Sequence, residues 1–310
     1  MGTMKRIRVA APLFAVAIAV FASASKPVHA EGDEVEKRER CATRVSIALL
    51  GASAPAVLMT APNPQGQVDA MLADPVFVDR FARFTNSELN PQPGVTIPED
   101  ASYTLAKYVL ENKKPWAELF VGGYGVTTTV TVDPAGLGYF RSDAWMRRYA
   151  GNEQAGYRLS SAYRILQNTT GLQLTATTNV QGVDITATGR QAAACAGCHY
   201  QNWYALDKVA KILSRRKGQG ATMTFLAPNE GPQQILGGKT LANDKDLVTA
   251  LVASNNFKVN GCRLAFKYLY GRVENSCEAQ VFERCVDAFT KDQTMQSAIA
   301  AVAKDPSFCQ

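Results

Sequence analysis

Histidine is nearly missing from this chain: 310 residues contain two, His29 and His199. Long apolar runs are missing as well. The longest at the start, Val9 to Phe21, covers 13 residues, short of the about 20 that a membrane-spanning helix needs. It follows the cationic "MKRIR" and precedes "PVHA", whose Val28 and Ala30 are the small residues a signal peptidase reads. Residues 1–30 therefore read as a secretory signal, and the mature protein as periplasmic or secreted, with no transmembrane segment. Removing them takes away His29. His199 is then the sole imidazole, which any His-dependent catalysis, zinc centre or haem ligation would have to share.

Strong charge is absent too. Of 33 Lys and Arg, Lys5, Arg6, Arg8 and Lys26 lie in the first thirty residues, which hold no acid. The 29 that remain face 27 Asp and Glu, a net charge of +2. Nucleic-acid binding needs a concentrated basic surface and is not expected. No repeat of fixed period and no low-complexity tract occurs. With 46% hydrophobic and 19% charged residues the chain reads as globular.

Against this background one stretch stands out, "RQAAACAGCHYQNW", which sets Cys195, Cys198 and His199 as C-x-x-C-H. From the chain's own Cys and His content the pattern arises by chance in roughly one such sequence in a thousand. In c-type haem attachment each cysteine adds through sulfur to one vinyl group, and the two-residue spacer lets both reach one edge of the macrocycle. The adjacent histidine becomes the proximal iron ligand. Other readings each lack something. A thioredoxin-like pair belongs in a βαβ unit, which is not expected here. A zinc site needs four ligands, and no second closely spaced Cys or His pair is present. A Cys195–Cys198 disulfide leaves the neighbouring histidine without a role.

With no second histidine, a sixth protein ligand to the iron would be a methionine thioether. Met59, Met71, Met146, Met223 and Met295 are available. Met223, in "GATMTFLAP", follows the motif and its helix and precedes the final helices, and is the expected distal ligand. An open or water-filled sixth position is the alternative. The first arrangement suits one-electron transfer, the second a haem enzyme or small-ligand binder. Electron transfer is favoured over catalysis. A disulfide-rich secreted binding or structural protein without haem is the reading from a third class.

Around the motif the sequence predicts mainly α structure with minor β. Residues 31–185 read as an N-terminal helical domain, and 186–310 as a c-type haem domain. "DPVFVDRFARFTNSELN" and "ASYTLAKYVLENKKPWAELF" are helical, the second broken at Pro115. Val76, Val78, Phe81 and Phe84 mark the buried side of the first. "GGYGVTTTVTVDPAGLGYFRS" is loop with one strand, and "GLQLTATTNVQGVDITATG" alternates as a two-stranded ribbon leading into the motif. "YQNWYALDKVAKILSRR" continues as a helix, and "ATMTFLAPNEGPQQILGGKTLAND" is loop. Helices near 245–271, 276–290 and 294–304 close the chain, with Gly271 as a stop, Asn275 and Glu278 as a capping box, and Pro306 as the last stop. "ILGGKT" ends like a phosphate-binding loop but has Gln233 where a glycine is needed.

Five cysteines remain. Cys277 and Cys285 are eight residues apart on one predicted helix, about 12 Å, too far to pair. An antiparallel hairpin brings Cys262 level with Cys285, and the ends of the last two helices bring Cys277 near Cys309. Cys262–Cys285 and Cys277–Cys309 are the expected disulfides, with Cys41 left over.

Taken with "DKDLVTALVASNNFKVNGCRLAFKYLYGR" and "AIAAVAKDPSF", the motif resembles the secreted planctomycete-type cytochrome c domain proteins. That family carries one C-x-x-C-H and ends in a short helical segment. Where it has Asp-Pro-x-Gly after the motif, this chain has "YQNWYALDK". The resemblance implies a monohaem c-type protein holding one covalent haem, with Cys195, Cys198 and His199 as its attachment and ligand residues. Lys208, Lys211, Arg215, Arg216 and Lys217 follow the motif and are a candidate docking face for an acidic redox protein.

Overall fold

The computed structural model describes residues 29–90, 101–149, 159–175, 181–217, 224–228 and 230–310. Residues 1–28 of the expected 1–30 signal, and Met223, lie outside them. The chain is mainly α with minor β. Among the described residues no helix is long and apolar enough to cross a membrane.

The first half shows how sequence sets its elements. α1 (His29–Leu50) starts charged and ends apolar, burying Cys41, Ala42, Val45 and Leu49 at three- and four-residue spacing. The short helices α2 (Ala56–Met59) and α3 (Val68–Leu72) then lead to α4 (Pro75–Leu89). The side chain of Asp74 accepts from Val76 N, and Pro75 occupies the first turn, where its missing N–H costs nothing. The buried stripe of α4 is Phe77, Val78, Phe81, Ala82 and Thr85. Val76, expected inside, is exposed, because the pair that meets the core is Phe77 and Phe81 at i,i+4. Their rings pack on Tyr268, and Phe81 also on Trp116.

α5 (Ala101–Glu111) lies against α4. A buried polar network joins them: Asn90 Nδ2 donates to Asn86 Oδ1 and Ser102 Oγ at 2.8 Å each, and the Tyr139 hydroxyl donates to Asn90 Oδ1. Burial holds the Tyr139 phenol well above its ordinary value, so it stays a donor. After the break at Pro115 come α6 (Glu118–Val121) and a hairpin of β1 (Tyr124–Val126) with β2 (Val130–Val132), where one strand was expected. α7 (Asp143–Tyr149) and α8 (Leu159–Thr170) complete this half.

The second half differs more from expectation. No ribbon precedes the motif among the described residues. Asp184 Oδ1 accepts from Thr186 N, turning the chain, and Val183 and Ile185 stay exposed with no strand partner. The motif lies on α9 (Ala193–Ala196) and the π-type turn Gly197–Gln201, and the helix expected beyond it is only α10 (Leu206–Lys211). The expected loop is two hairpins, β3 (Arg215–Lys217) with β4 (Thr224–Leu226), and β5 (Gln233–Ile235) with β6 (Lys239–Leu241). The glycines of "ILGGKT" make the second turn, with Gly237 and Gly238 at φ +77° and +99°.

Four helices close the chain rather than three. α11 (Asp244–Val252) and α12 (Asn255–Tyr270) are separated where Ser254 Oγ caps the second by accepting from Phe257 N. Gly271 ends α12 at φ +69°, and Asn275 and Glu278 form the capping box ahead of α13 (Ala279–Asp292). α14 (Met295–Ala303) packs back on α13 and α12. Buried side chains from Cys41 to Phe308 form one cluster drawn from both halves of the chain.

Cys262 and Cys285 are bonded across the α12–α13 hairpin, Cα atoms 5.9 Å apart. The expected Cys277–Cys309 pair is not formed. Cys277 is an exposed free thiol in the turn Ser276–Glu278, and Cys309 is bonded to Cys41. The reason is direction: the turn Pro306–Cys309 carries the chain from α14 onto α1, where Arg44 Nη1 donates to Gln310 O at 2.9 Å and its guanidinium lies over the Phe308 ring. Cys41–Cys309 spans 268 residues, so its constraint on the unfolded chain is large. Replacing both cysteines by alanine lowers stability by about 2–5 kcal/mol, read as a fall in the urea midpoint under non-reducing conditions.

Candidate functional site

Cys195 and Cys198 are both free thiols, the first half-buried and the second exposed. α9 begins at Ala193 after an extended Ala192, and its last turn widens into the i→i+5 turn that carries Cys198 and His199. Such widened turns recur at functional positions because they re-aim side chains. Asn202 N donates to Gly197 O at 2.8 Å, ending that turn. Trp203 O accepts from Leu236 N at 2.8 Å, which ties the segment to the β5–β6 hairpin.

The geometry centres on Asp207, which is fully buried on α10. His199 Nδ1 lies 2.6 Å from Asp207 Oδ2. Arg190 Nη2 donates to Asp207 Oδ1 at 2.7 Å, its Nε reaches both carboxylate oxygens, and its Nη1 donates to Ile185 O. A buried carboxylate needs a cation and hydrogen bonds, and Arg190 with His199 supplies both. Asp207 is therefore an anionic anchor that fixes the imidazole plane. His199 Nε2 has no partner among the described residues.

One tyrosine meets a thiol, and a second lies near Asp207. Cys198 Sγ lies 3.4 Å from the Tyr204 hydroxyl, which also accepts from Asn202 Nδ2 at 3.0 Å. The hydrogen bond to Cys198, and then burial, raise the Tyr204 phenol above its ordinary value. Burial, and then the Asp207 charge, raise Tyr200, whose hydroxyl donates to Ala187 O at 3.0 Å. Val183, Ile185 and Trp203, on the segments these bonds attach to the motif, are exposed large apolar residues. Together the site offers two thiols free of disulfides with two residues between them, one imidazole nitrogen without a partner among the described residues, and uncovered apolar surface. That donor set fits a flat apolar macrocycle bound through sulfur, with its metal on the imidazole. Among the described residues no three His, Cys, Asp or Glu side chains cluster as a bare metal site.

Cys195, Cys198 and His199 lie on one short stretch, α9 and the turn after it, and the structure adds Asp207 and Arg190, which sequence reading missed. The signal for Asp207 was present: an acid in "YALDKVAKI" with Leu206, Val209 and Ala210 around it needs an internal partner. Of the other methionines, Met146 and Met295 are buried in the core, and Met59 sulfur accepts from Thr43 Oγ1. The cationic run is divided, Lys208 and Lys211 on α10 and Arg215, Arg216 and Lys217 on β3, with Lys211 3.8 Å from Glu230.

Compared with known proteins, the chain matches no family model, no curated protein and no solved structure.

Proposed function

We propose that this is an exported monohaem c-type cytochrome-like protein that transfers single electrons. The carrying observation is the pairing of His199 with buried Asp207 beside two cysteines that stay free while four others are in disulfides. Haem, when bound, supplies the one-electron chemistry. Cys195 and Cys198 hold it covalently, and His199 presents Nε2 to the iron while Asp207 keeps Nδ1 occupied. The resemblance of the motif and the C-terminal helices to planctomycete-type cytochrome c domain proteins points the same way. So do the two disulfides, which fit an oxidising compartment such as the periplasm or exterior. Met223 is the proposed sixth ligand, and the cationic residues from Lys208 to Lys217 the proposed docking face for an acidic redox partner.

A second reading draws on the same hydrogen bond. A carboxylate on the far nitrogen makes the imidazole a more basic ligand and favours the oxidised metal, which suits a small-ligand binder or haem enzyme with an open sixth position. One experiment separates the readings: a reduced-minus-oxidised spectrum of protein exported alongside a c-type maturation apparatus. Sharp α and β bands with a methionine–iron charge-transfer band support the carrier. A high-spin spectrum supports the ligand binder. No Soret band leaves the haem-free structural or binding protein.

A further inference from the structure

Away from the cysteine motif, a cleft of about 880 Å³ opens between α1, the segment from Pro62 to Gln65 and the turn Pro306–Cys309. The sequence of α1 divides its charges about this cleft. All the Lys and Arg residues of the helix, Lys37, Arg38, Arg40 and Arg44, line it. Of the acids Asp33, Glu34, Glu36 and Glu39, only Glu34 does. With Glu34 and the chain end at Gln310 set against the four cations, the cleft keeps a net charge of +2. Arg40 and Arg44 stand four residues apart, where like charges on a helix repel, so the arrangement does nothing for the helix itself. The cations also differ in how far they are answered. Lys37 Nζ lies 2.9 Å from Glu34 Oε1, and Arg40 Nη1 3.5 Å from Glu36 Oε1, but all four side chains are mostly exposed and such pairs are weak. Arg38 and Arg44 are half-buried, and neither meets a side-chain carboxylate among the described residues.

Chemistry and shape narrow the ligand. A guanidinium is a planar fork that gives two N–H groups to two oxygens of one oxyanion. Charges partly withdrawn from water are also screened less by salt than exposed ones. The walls are fixed before any ligand arrives. Cys41–Cys309 ties α1 to the C-terminal turn, and Gln65 Nε2 donates to Ala303 O and Asp305 O at 2.7 and 2.8 Å. Pro62, Pro64 and Pro306 restrict the backbone of the two facing walls. Arg44 is held as well, its guanidinium over the rings of Tyr270 and Phe308. A site that keeps its cations in place without rearranging loses little on binding. No aromatic side chain lines the cleft among the described residues, so a flat apolar ring finds nothing to stack on. The volume lies in the range of small-molecule sites.

We propose that this cleft binds a small oxyanion carrying two or more negative charges, of the diphosphate or polycarboxylate kind, independently of anything held at Cys195, Cys198 and His199. The test is calorimetric titration of the mature full-length protein with pyrophosphate and with citrate at one fixed ionic strength. Acetate and D-glucose are the singly charged and uncharged controls. At least one polyanion should bind saturably and neither control should; which polyanion binds decides between phosphate and carboxylate. Arg38→Gln removes a cation that has no ion pair to lose, and should weaken binding about tenfold. Glu34→Gln removes the acid of the cleft and should tighten binding about twofold to fivefold, a gain that a damaged fold cannot give. Serine at both Cys195 and Cys198 should leave the affinity unchanged, since no residue of the motif lines the cleft. The proposal is overturned if neither polyanion binds saturably, or if a control binds as well as they do. It is also overturned if Arg38→Gln and Glu34→Gln both bind as the parent does, or if the serine variant loses the anion, which would place it at the motif.

Discussion

Serine at both Cys195 and Cys198 abolishes covalent pigment. The parent, produced in the periplasm beside a working maturation apparatus, should have the intact mass of the polypeptide plus one haem, and the double variant the polypeptide alone. This change acts on chemistry and leaves the fold alone. Neither thiol is bonded to another cysteine, Cys198 is exposed, and among the described residues the pair's side-chain hydrogen bond is the 3.4 Å approach of Cys198 Sγ to the Tyr204 hydroxyl. Serine keeps a polar atom there, so with both proteins made without haem, stability should change by no more than about 0.5 kcal/mol. Each single serine variant keeps one thiol and should retain one linkage, with a perturbed spectrum. A parent protein of bare polypeptide mass would end the haem proposal, whatever the variants do.

Asp207→Asn has the second large effect, in two measurements that answer different questions. Asn leaves the Arg190 guanidinium, 15% exposed, facing an amide in place of a fully buried carboxylate. Breaking a buried pair from one side costs about 3–5 kcal/mol, which a urea denaturation curve reads with or without haem. The second measurement is the midpoint potential of the haem-loaded variant. A carboxylate on His199 Nδ1 favours the ferric state, so the neutral amide should raise the potential. Losing such an outer partner typically costs 10- to 100-fold in metal binding. Where that loss falls on the ferric state alone, at about 59 mV per tenfold for one electron, the rise is about 60–120 mV. Lost stability with an unmoved potential would place Asp207 in the fold and take it away from the iron. An unmoved stability would contradict the Asp207–Arg190 pair itself.

Local signals carried much of this architecture. Asp74 with Pro75, Gly271, and Asn275 with Glu278 each act within one turn of the chain, and each stops or starts a helix where the sequence indicates. The C-x-x-C-H spacing is equally local, and the three residues lie on one short stretch. What could not be read depends on partners far along the chain. Whether Cys309 meets Cys277 or Cys41 is decided by the direction of the Pro306–Cys309 turn. Period-2 alternation before the motif pointed to a ribbon, yet Val183 and Ile185 lie in an irregular stretch that forms no strand. Between Lys208 and Leu241 the error ran the other way. Strands of three residues are too brief for periodicity to mark, and only their pairing in space defines β3 to β6. Asp207 belongs to the same class, since its importance lies in Arg190 and His199, 17 and 8 residues away.

The bond from Cys41 to Cys309 makes a closed covalent ring of nearly everything described. One protease cut anywhere between those two residues, including the exposed stretch at Val183 and Ile185, releases no fragment, because both pieces remain attached through sulfur. Shedding a piece takes two cuts, or one cut and a reductant, so this molecule can be nicked once and still travel as a single particle.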